Sequence, residues 1–231
     1  IKNVCVHKGL FPRATAERWP RLLKHAMVDD VGKAAKDWPQ LNFIIYHSGY
    51  RFAGGGTVEQ AWEQLQRTGR VEWVSDLAEI PAQYGVKNVY GDLGQIFAQS
   101  TMADPRVCAF MMGTLIKGLG YDRVVWGTDA VWTGAPQWQI EALRRLEIPE
   151  DMQKKHGFKP LGAADGPVKT AIFGGNNAKL YNIQPKRAML ELSRDRYAAL
   201  KAEYEKEGPA RSNLRYGYVV PNGPVDYSVF A

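Results

Sequence analysis

Four polar residues occupy the same place in the chain's pattern. His7, His47, Asp92 and Asp129 each follow directly on, or close, a short apolar run. Two imidazoles and a carboxylate at one mouth can hold a divalent cation such as zinc, or pair a metal with a general base. That chemistry requires the four runs to be neighbouring strands with their carboxyl ends on one side, where parallel α/β folds gather ligands and catalytic groups. Each residue also has a plainer reading. A histidine at a strand end is often a hydrogen-bonded loop residue, and either aspartate can cap the turn that follows. His25 lies in an amphipathic stretch and His156 in a charged one, and both read as solvent-exposed. Arg51, close behind His47, is a candidate clamp for a substrate carboxylate, with a surface ion pair as its alternative. Trp132, just after Asp129, is a candidate pocket wall. Gly54–Gly56 lacks the Lys-Ser/Thr of a phosphate loop and reads as a turn.

The elements that must position these groups are legible as alternating runs. Lys2–His7, Asn42–His47, Lys87–Asp92 and Arg123–Asp129 are apolar without clean alternation, as expected of strands covered on both faces. Helical stretches follow them. Glu17–Lys36 carries apolar residues at helical spacing until Trp38-Pro39 stops it. Thr57 and Gln60 form a capping box for Val58–Arg67. Trp73–Gln83 ends at Gly85, Pro105–Leu119 at Gly120, and Pro136–Arg145 opens on a first-turn proline. Alternation of strand and helix predicts a parallel α/β architecture. Four such units are half of an eight-fold barrel, and an open flavodoxin-like sheet competes with that reading. Beyond them, Ile148–Pro167 reads as a loop and Val168–Tyr181 as a helix. Pro185–Glu207 reads as a charged helix, and 208–231 as an aromatic tail that should lie on this domain or on a neighbouring subunit.

The chain has 231 residues, of which 45% are hydrophobic, 11% aromatic and 23% charged. Such a composition excludes a disordered chain. Two cysteines exclude a disulfide scaffold and favour reduced thiols, from which a cytoplasmic location is expected. No run approaches the ~18 apolar residues of a membrane span, so no membrane partner is expected. The net charge of +6 is spread along the chain without an arginine and lysine stripe. It fits an anionic small-molecule substrate better than nucleic acid. Ile1–Val6 already reads as a buried strand, so further sequence upstream is expected.

Three segments resemble a known family. Val-Cys-Val-His-Lys-Gly at 4–9, Ile-Ile-Tyr-His-Ser-Gly at 44–49 and Val-Val-Trp-Gly-Thr-Asp at 124–129 look like strands of an amidohydrolase-related, metal-dependent hydrolase. The branch is the one that includes aminocarboxymuconate-semialdehyde decarboxylase and related aromatic-acid decarboxylases. Gly127–Arg145 and the helix from Ala171 to Tyr181 are similar to the end of that family's barrel. The resemblance covers residues 1–183 and implies the last four βα units of a TIM-type (β/α)8 barrel, with 184–231 as a helical and aromatic C-terminal extension. It implies His7 as a metal ligand, Asp129 as metal ligand and proton shuttle, and His47 as the residue that activates water or meets the substrate. The cofactor implied is a divalent metal, zinc first. The family's first-strand His-x-His pair is absent, which leaves a metal site short of ligands and calls for an upstream half of the barrel in the same or a separate chain. Exposed strand edges in half a barrel also predict a homo-oligomer. The function implied is hydrolysis or non-oxidative decarboxylation of a small carboxylated, perhaps cyclic, substrate. A non-catalytic barrel half kept for assembly is the alternative.

Overall fold

The structure is a computed structural model and describes residues 2–11, 13–51, 58–184 and 197–207. The Thr57 capping box, the Gly54–Gly56 turn and the tail from 208 onward lie outside the described residues. The chain divides into two units, 1–183 and 184–231. In the second, α13 spans Ala198–Glu207. The remaining elements belong to the first.

Four strands form one parallel sheet in chain order: β1 (Asn3–His7), β2 (Asn42–Tyr46), β3 (Val89–Asp92) and β4 (Val124–Val125). A flavodoxin-like sheet reverses its order at a switch point. This sheet has no reversal, so it is wound in one direction, as in a barrel. Asn3 pairs with Asn42 and His7 with Tyr46, so the first two strands end level. Asp92 pairs with Val125, which brings the third and fourth ends into line.

Alternate residues face opposite sides of a strand. Phe43, Ile45, Val89 and Val124 share one face, which α3 (Val31–Asp37), α5 (Val74–Tyr84) and α7 (Pro105–Leu119) cover. Helices α5 and α7 cross closely at Gly118, where a side chain would run into the Ala78 carbonyl. Cys5, Ile44 and Tyr90 point the other way, and Ile44 is still only 1% exposed. The closing helical segment accounts for this. It runs from α11 (Pro167–Thr170) through a π-helical turn at Ala171–Gly175 into α12 (Asn176–Leu180). Asn176 donates to the Tyr121 and Val124 carbonyls beside β4. At the other end Asn3 of β1 donates to the Leu180 carbonyl, and Tyr181 Oη lies 3.8 Å from Cys5 Sγ. The segment thus joins the two outer strands of the sheet.

The helix expected over Glu17–Lys36 is three pieces: α1 (Arg13–Arg18), α2 (Pro20–Ala26) and α3. Pro20 restarts the chain after Trp19, and Met27 is extended. Lys8 supplies a further reason for the break. It is buried, and its ammonium donates to the His25 carbonyl, 3.0 Å, and to Asp30, 2.9 Å. A continuous helix would have kept that carbonyl for its own ladder. The stretch read as a loop at Ile148–Pro167 contains α10 (Glu150–His156). Two further helices, α8 (Ala130–Thr133) and α9 (Pro136–Arg145), follow β4, while α4 (Val58–Thr68) and α6 (Ile96–Ala103) precede α5 and α7. No helix among the described residues is long and apolar enough to cross a membrane.

Candidate active site

The carboxyl ends of the strands open into one cleft of about 600 Å³, lined by His7, Tyr46, His47, Asp92, Gln95, Asp129 and Trp132. The rings of His7 and His47 meet edge to face with centroids 4.7 Å apart. Asp129 is close enough for its charge to act on His7. The three residues expected to converge therefore do so. Trp132 stands at the rim, 77% exposed.

Two glycines let the first two loops lie on each other. Gly9 has φ +82, and a side chain there would strike the backbone of Gly49 and Tyr50 at 2.5 Å. Leu10 N–H donates to the Tyr50 carbonyl across this contact, 2.7 Å. The chain turns sharply at every strand end. Leu10, His47, Ser48, Gln95 and Asp129 all have positive φ, between 45° and 61°, and Trp73 and Asn182 are the other non-glycine examples among the described residues. Such residues cost about 1–3 kcal/mol each and persist where surrounding contacts hold them, commonly at functional sites.

His47 is 8% exposed and opens a tight turn after β2. Its Nδ1 stands 2.9 Å from the Gly94 carbonyl. A carbonyl only accepts, so in the neutral ring Nδ1 carries the hydrogen and Nε2 keeps a lone pair. Ser48 is fully buried, and its hydroxyl donates to the Asp92 carbonyl, 2.8 Å. His7 is held below the usual histidine range by burial and by His47 beside it, against the pull of Asp129. Burial thus favours the neutral, nitrogen-offering form of His7.

Asp92, the fourth of the strand-end residues, is a second carboxylate in the cleft. It does cap a turn, since Gly94 N–H donates to Oδ1 at 3.0 Å. Burial pushes its carboxyl up from the carboxylate range, and the Gly94 and His47 amides oppose this. The fold brings glycines 94 and 127 against it, and they leave room for the carboxylate. A Cβ at Gly94 would stand 2.8 Å from Oδ1, and one at Gly127 2.5 Å from Oδ2.

Arg51 does not reach this cleft. It pairs with Glu72, its guanidinium lies 4.9 Å from the Trp73 ring centre, and it faces a separate pocket with Tyr50 and Val107. The alternative of a surface ion pair is the one the structure shows. His25 is exposed as expected. His156 is not free in solvent: it stacks on Phe158 and meets Phe110 edge-on, with centroids at 5.4 and 4.8 Å.

The donor types suit zinc, which takes imidazole nitrogen and carboxylate oxygen. Among the described residues, however, no three His, Cys, Asp or Glu side chains are grouped closely enough to hold an ion. Catalytic zinc usually has three protein ligands, so these residues alone do not make such a site.

The amidohydrolase family profile matches residues 4–183. The chain belongs to the amidohydrolase family. No curated protein sequence matches it. Among solved structures it is similar to an amidohydrolase from Burkholderia multivorans with bound zinc, at 18% identity and a TM-score of 0.43, covering 67% of this chain and 49% of that one. It is similar to a candidate 2-pyrone-4,6-dicarboxylic acid hydrolase from Pseudomonas putida at 16% identity and a TM-score of 0.43, covering 80% of this chain and 65% of that one. It is also similar to 5-carboxyvanillate decarboxylase from Sphingomonas paucimobilis at 15% identity and a TM-score of 0.38, covering 78% and 49%. The chain spans about half the length of the Burkholderia amidohydrolase structures it matches.

Proposed function

We propose that this amidohydrolase-family chain carries the last four βα units of a barrel that hydrolyses or decarboxylates a small, cyclic carboxylic acid. The observation that carries the reading is the meeting of His7, His47 and Asp129 in one cleft at the carboxyl ends of the strands. The volume of about 600 Å³ suits a small-molecule ligand. His47 offers a lone pair at Nε2, so it can accept a proton from water or, once protonated, deliver one to a carbanion. The Asp129 carboxylate is the second group able to move a proton. Arg51 is given no part, because it is held by Glu72.

A divalent cation, zinc first, would supply Lewis acidity in this cleft. His7 and Asp129 are the residues of this chain proposed to hold it, with the remaining donors coming from polypeptide beyond this sequence. The same polypeptide would cover the free edges of β1 and β4. The working protein is proposed to be an assembly of such barrels, with 184–231 serving contacts between subunits.

The test uses the full protein together with whatever polypeptide completes its barrel. Chelation should abolish turnover of a panel of small cyclic carboxylates, and zinc should restore it. Released carbon dioxide marks decarboxylation, and a ring-opened acid marks hydrolysis. His7→Asn should lose metal, measured by mass spectrometry, while His47→Asn keeps it and loses turnover. Equal metal content in both variants would overturn the assignment of His7. Absence of turnover across the panel with metal bound would leave the assembly role standing in place of catalysis.

A further inference from the structure

We propose that Asp92 is a positioning residue that fixes the ring and tautomer of His47, and that it does so from both ends. Its main-chain carbonyl accepts from the Ser48 hydroxyl, 2.8 Å, and so holds the residue after His47. Its carboxylate accepts from the Gly94 amide, 3.0 Å. Gly94 in turn presents its carbonyl to His47 Nδ1, 2.9 Å. The His47 amide also acts on the same carboxylate. The path therefore closes on itself, from the Asp92 carboxylate through the N–H and carbonyl of Gly94 to the His47 ring, and back along the chain through the Ser48 hydroxyl to the Asp92 carbonyl.

This arrangement solves a specific problem. His47 and Ser48 both stand at positive φ, 61° and 45°, where residues with side chains are strained. Something must hold them there, and a half-buried carboxylate receiving backbone N–H groups is a strong means of doing so. The carboxylate is itself confined. The absence of side chains at Gly94 and Gly127 leaves a slot that a Cβ at either position would fill, 2.8 Å from Oδ1 or 2.5 Å from Oδ2. Gly94 is not at positive φ, so its glycine answers to space and not to backbone conformation. Histidines that act on substrate commonly have the other ring nitrogen fixed by such a partner. Here the partner is a carbonyl whose own place depends on Asp92.

The value of the device for turnover rests on the reading that His47 works in this cleft, but its test does not. In a two-bond proton–nitrogen correlation spectrum of the full protein, substituting each of this chain's four histidines in turn assigns their ring signals. Wild-type His47 should show a single neutral tautomer with the hydrogen on Nδ1. Asp92→Asn preserves the shape but leaves one acceptor oxygen where there were two. The preference for that tautomer should fall about tenfold, the equilibrium equivalent of one charge-assisted hydrogen bond. Gly127→Ala, which crowds the same carboxylate without touching His47, should produce the same second tautomer. His156, remote from the cleft, should keep its signals and report an intact fold. A single Nδ1–H tautomer retained in Asp92→Asn, or a mixture in the wild type, would overturn the proposal while leaving the proposed reaction untouched. Failure of every carboxylate in the activity panel would overturn the reaction and leave the ring result standing.

Discussion

At the residue scale, what distinguishes His7, His47 and Asp129 from the other titratable groups is their company. His25 is exposed, whereas His7 and His47 share a ring contact, with Asp129 acting on His7 and Asp92 beside His47. His156 shows that burial alone does not mark a functional histidine. Burial first, then Lys155 and Lys117, holds it below the usual value of 6.5, with Asp151 opposing. The unfolded chain therefore takes up this proton before the folded one does. The stabilisation is full above pH 6.5 and is lost as pH falls from there towards the folded value. His156→Phe keeps an aromatic ring between Phe110 and Phe158 and removes the titration. Urea midpoints measured near neutrality and about one pH unit below 6.5 should fall less in this variant than in the wild type. Equal falls would show that His156 takes no part in the acid sensitivity. Residue types told less than residue surroundings: Arg51 had the right charge beside His47, but Glu72 and Trp73, twenty-odd positions on, claim its guanidinium. Asp92 stands among the four strand-end residues in the sequence, and it also caps a turn. Its slot depends on glycines 94 and 127, which only tertiary structure brings together.

At the scale of elements, the four strands and the helices closed by glycine or opened by proline were legible, because capping chemistry and unbroken apolar runs act locally. Pro105–Leu119 and Pro136–Arg145 stand where the sequence puts them. Two stretches were read differently from the structure, for different reasons. The break in Glu17–Lys36 serves buried Lys8, a contact no local pattern reveals. Helix α10 has Glu150 and Asp151 in its first turn, Lys154 and Lys155 in its last, and Gly157 at φ +66 after it. Those end signals match the helix dipole, but only Met152 is buried, so the apolar period that would have announced a helix is missing. The α5–α7 crossing gives a sharper element-scale expectation. Gly118→Ala places a methyl group against the Ala78 carbonyl and should destabilise the protein by about 1–3 kcal/mol, overriding the ~1 kcal/mol gain in helix propensity. Gly174→Ala, with nothing within 4 Å, should be neutral or slightly stabilising. Calorimetric or urea unfolding of the two variants distinguishes them, and equal stabilities would mean that the crossing is looser than described.

At the scale of the whole molecule, strand order separates the two architectures that composition and spacing left open. A parallel sheet ordered as the chain runs, within a family match over 4–183, is a barrel-type sheet of four βα units. Its active face gathers polar residues from all four strand ends, and its closing helical segment ties β4 to β1. This gathering is proposed to be catalytic, with Asp129 as a working base. Asp129→Asn keeps size and the capacity to cap the Trp132 and Thr133 amides through its unchanged main-chain carbonyl. It removes only the charge and the basic oxygen. The most direct measurement is therefore the steady-state rate of Asp129→Asn against wild type, on the carboxylate the protein turns over, with its barrel complete and metal supplied. Turnover should fall at least ~100-fold with the fold unchanged, and an unchanged rate would show that Asp129 is not the base.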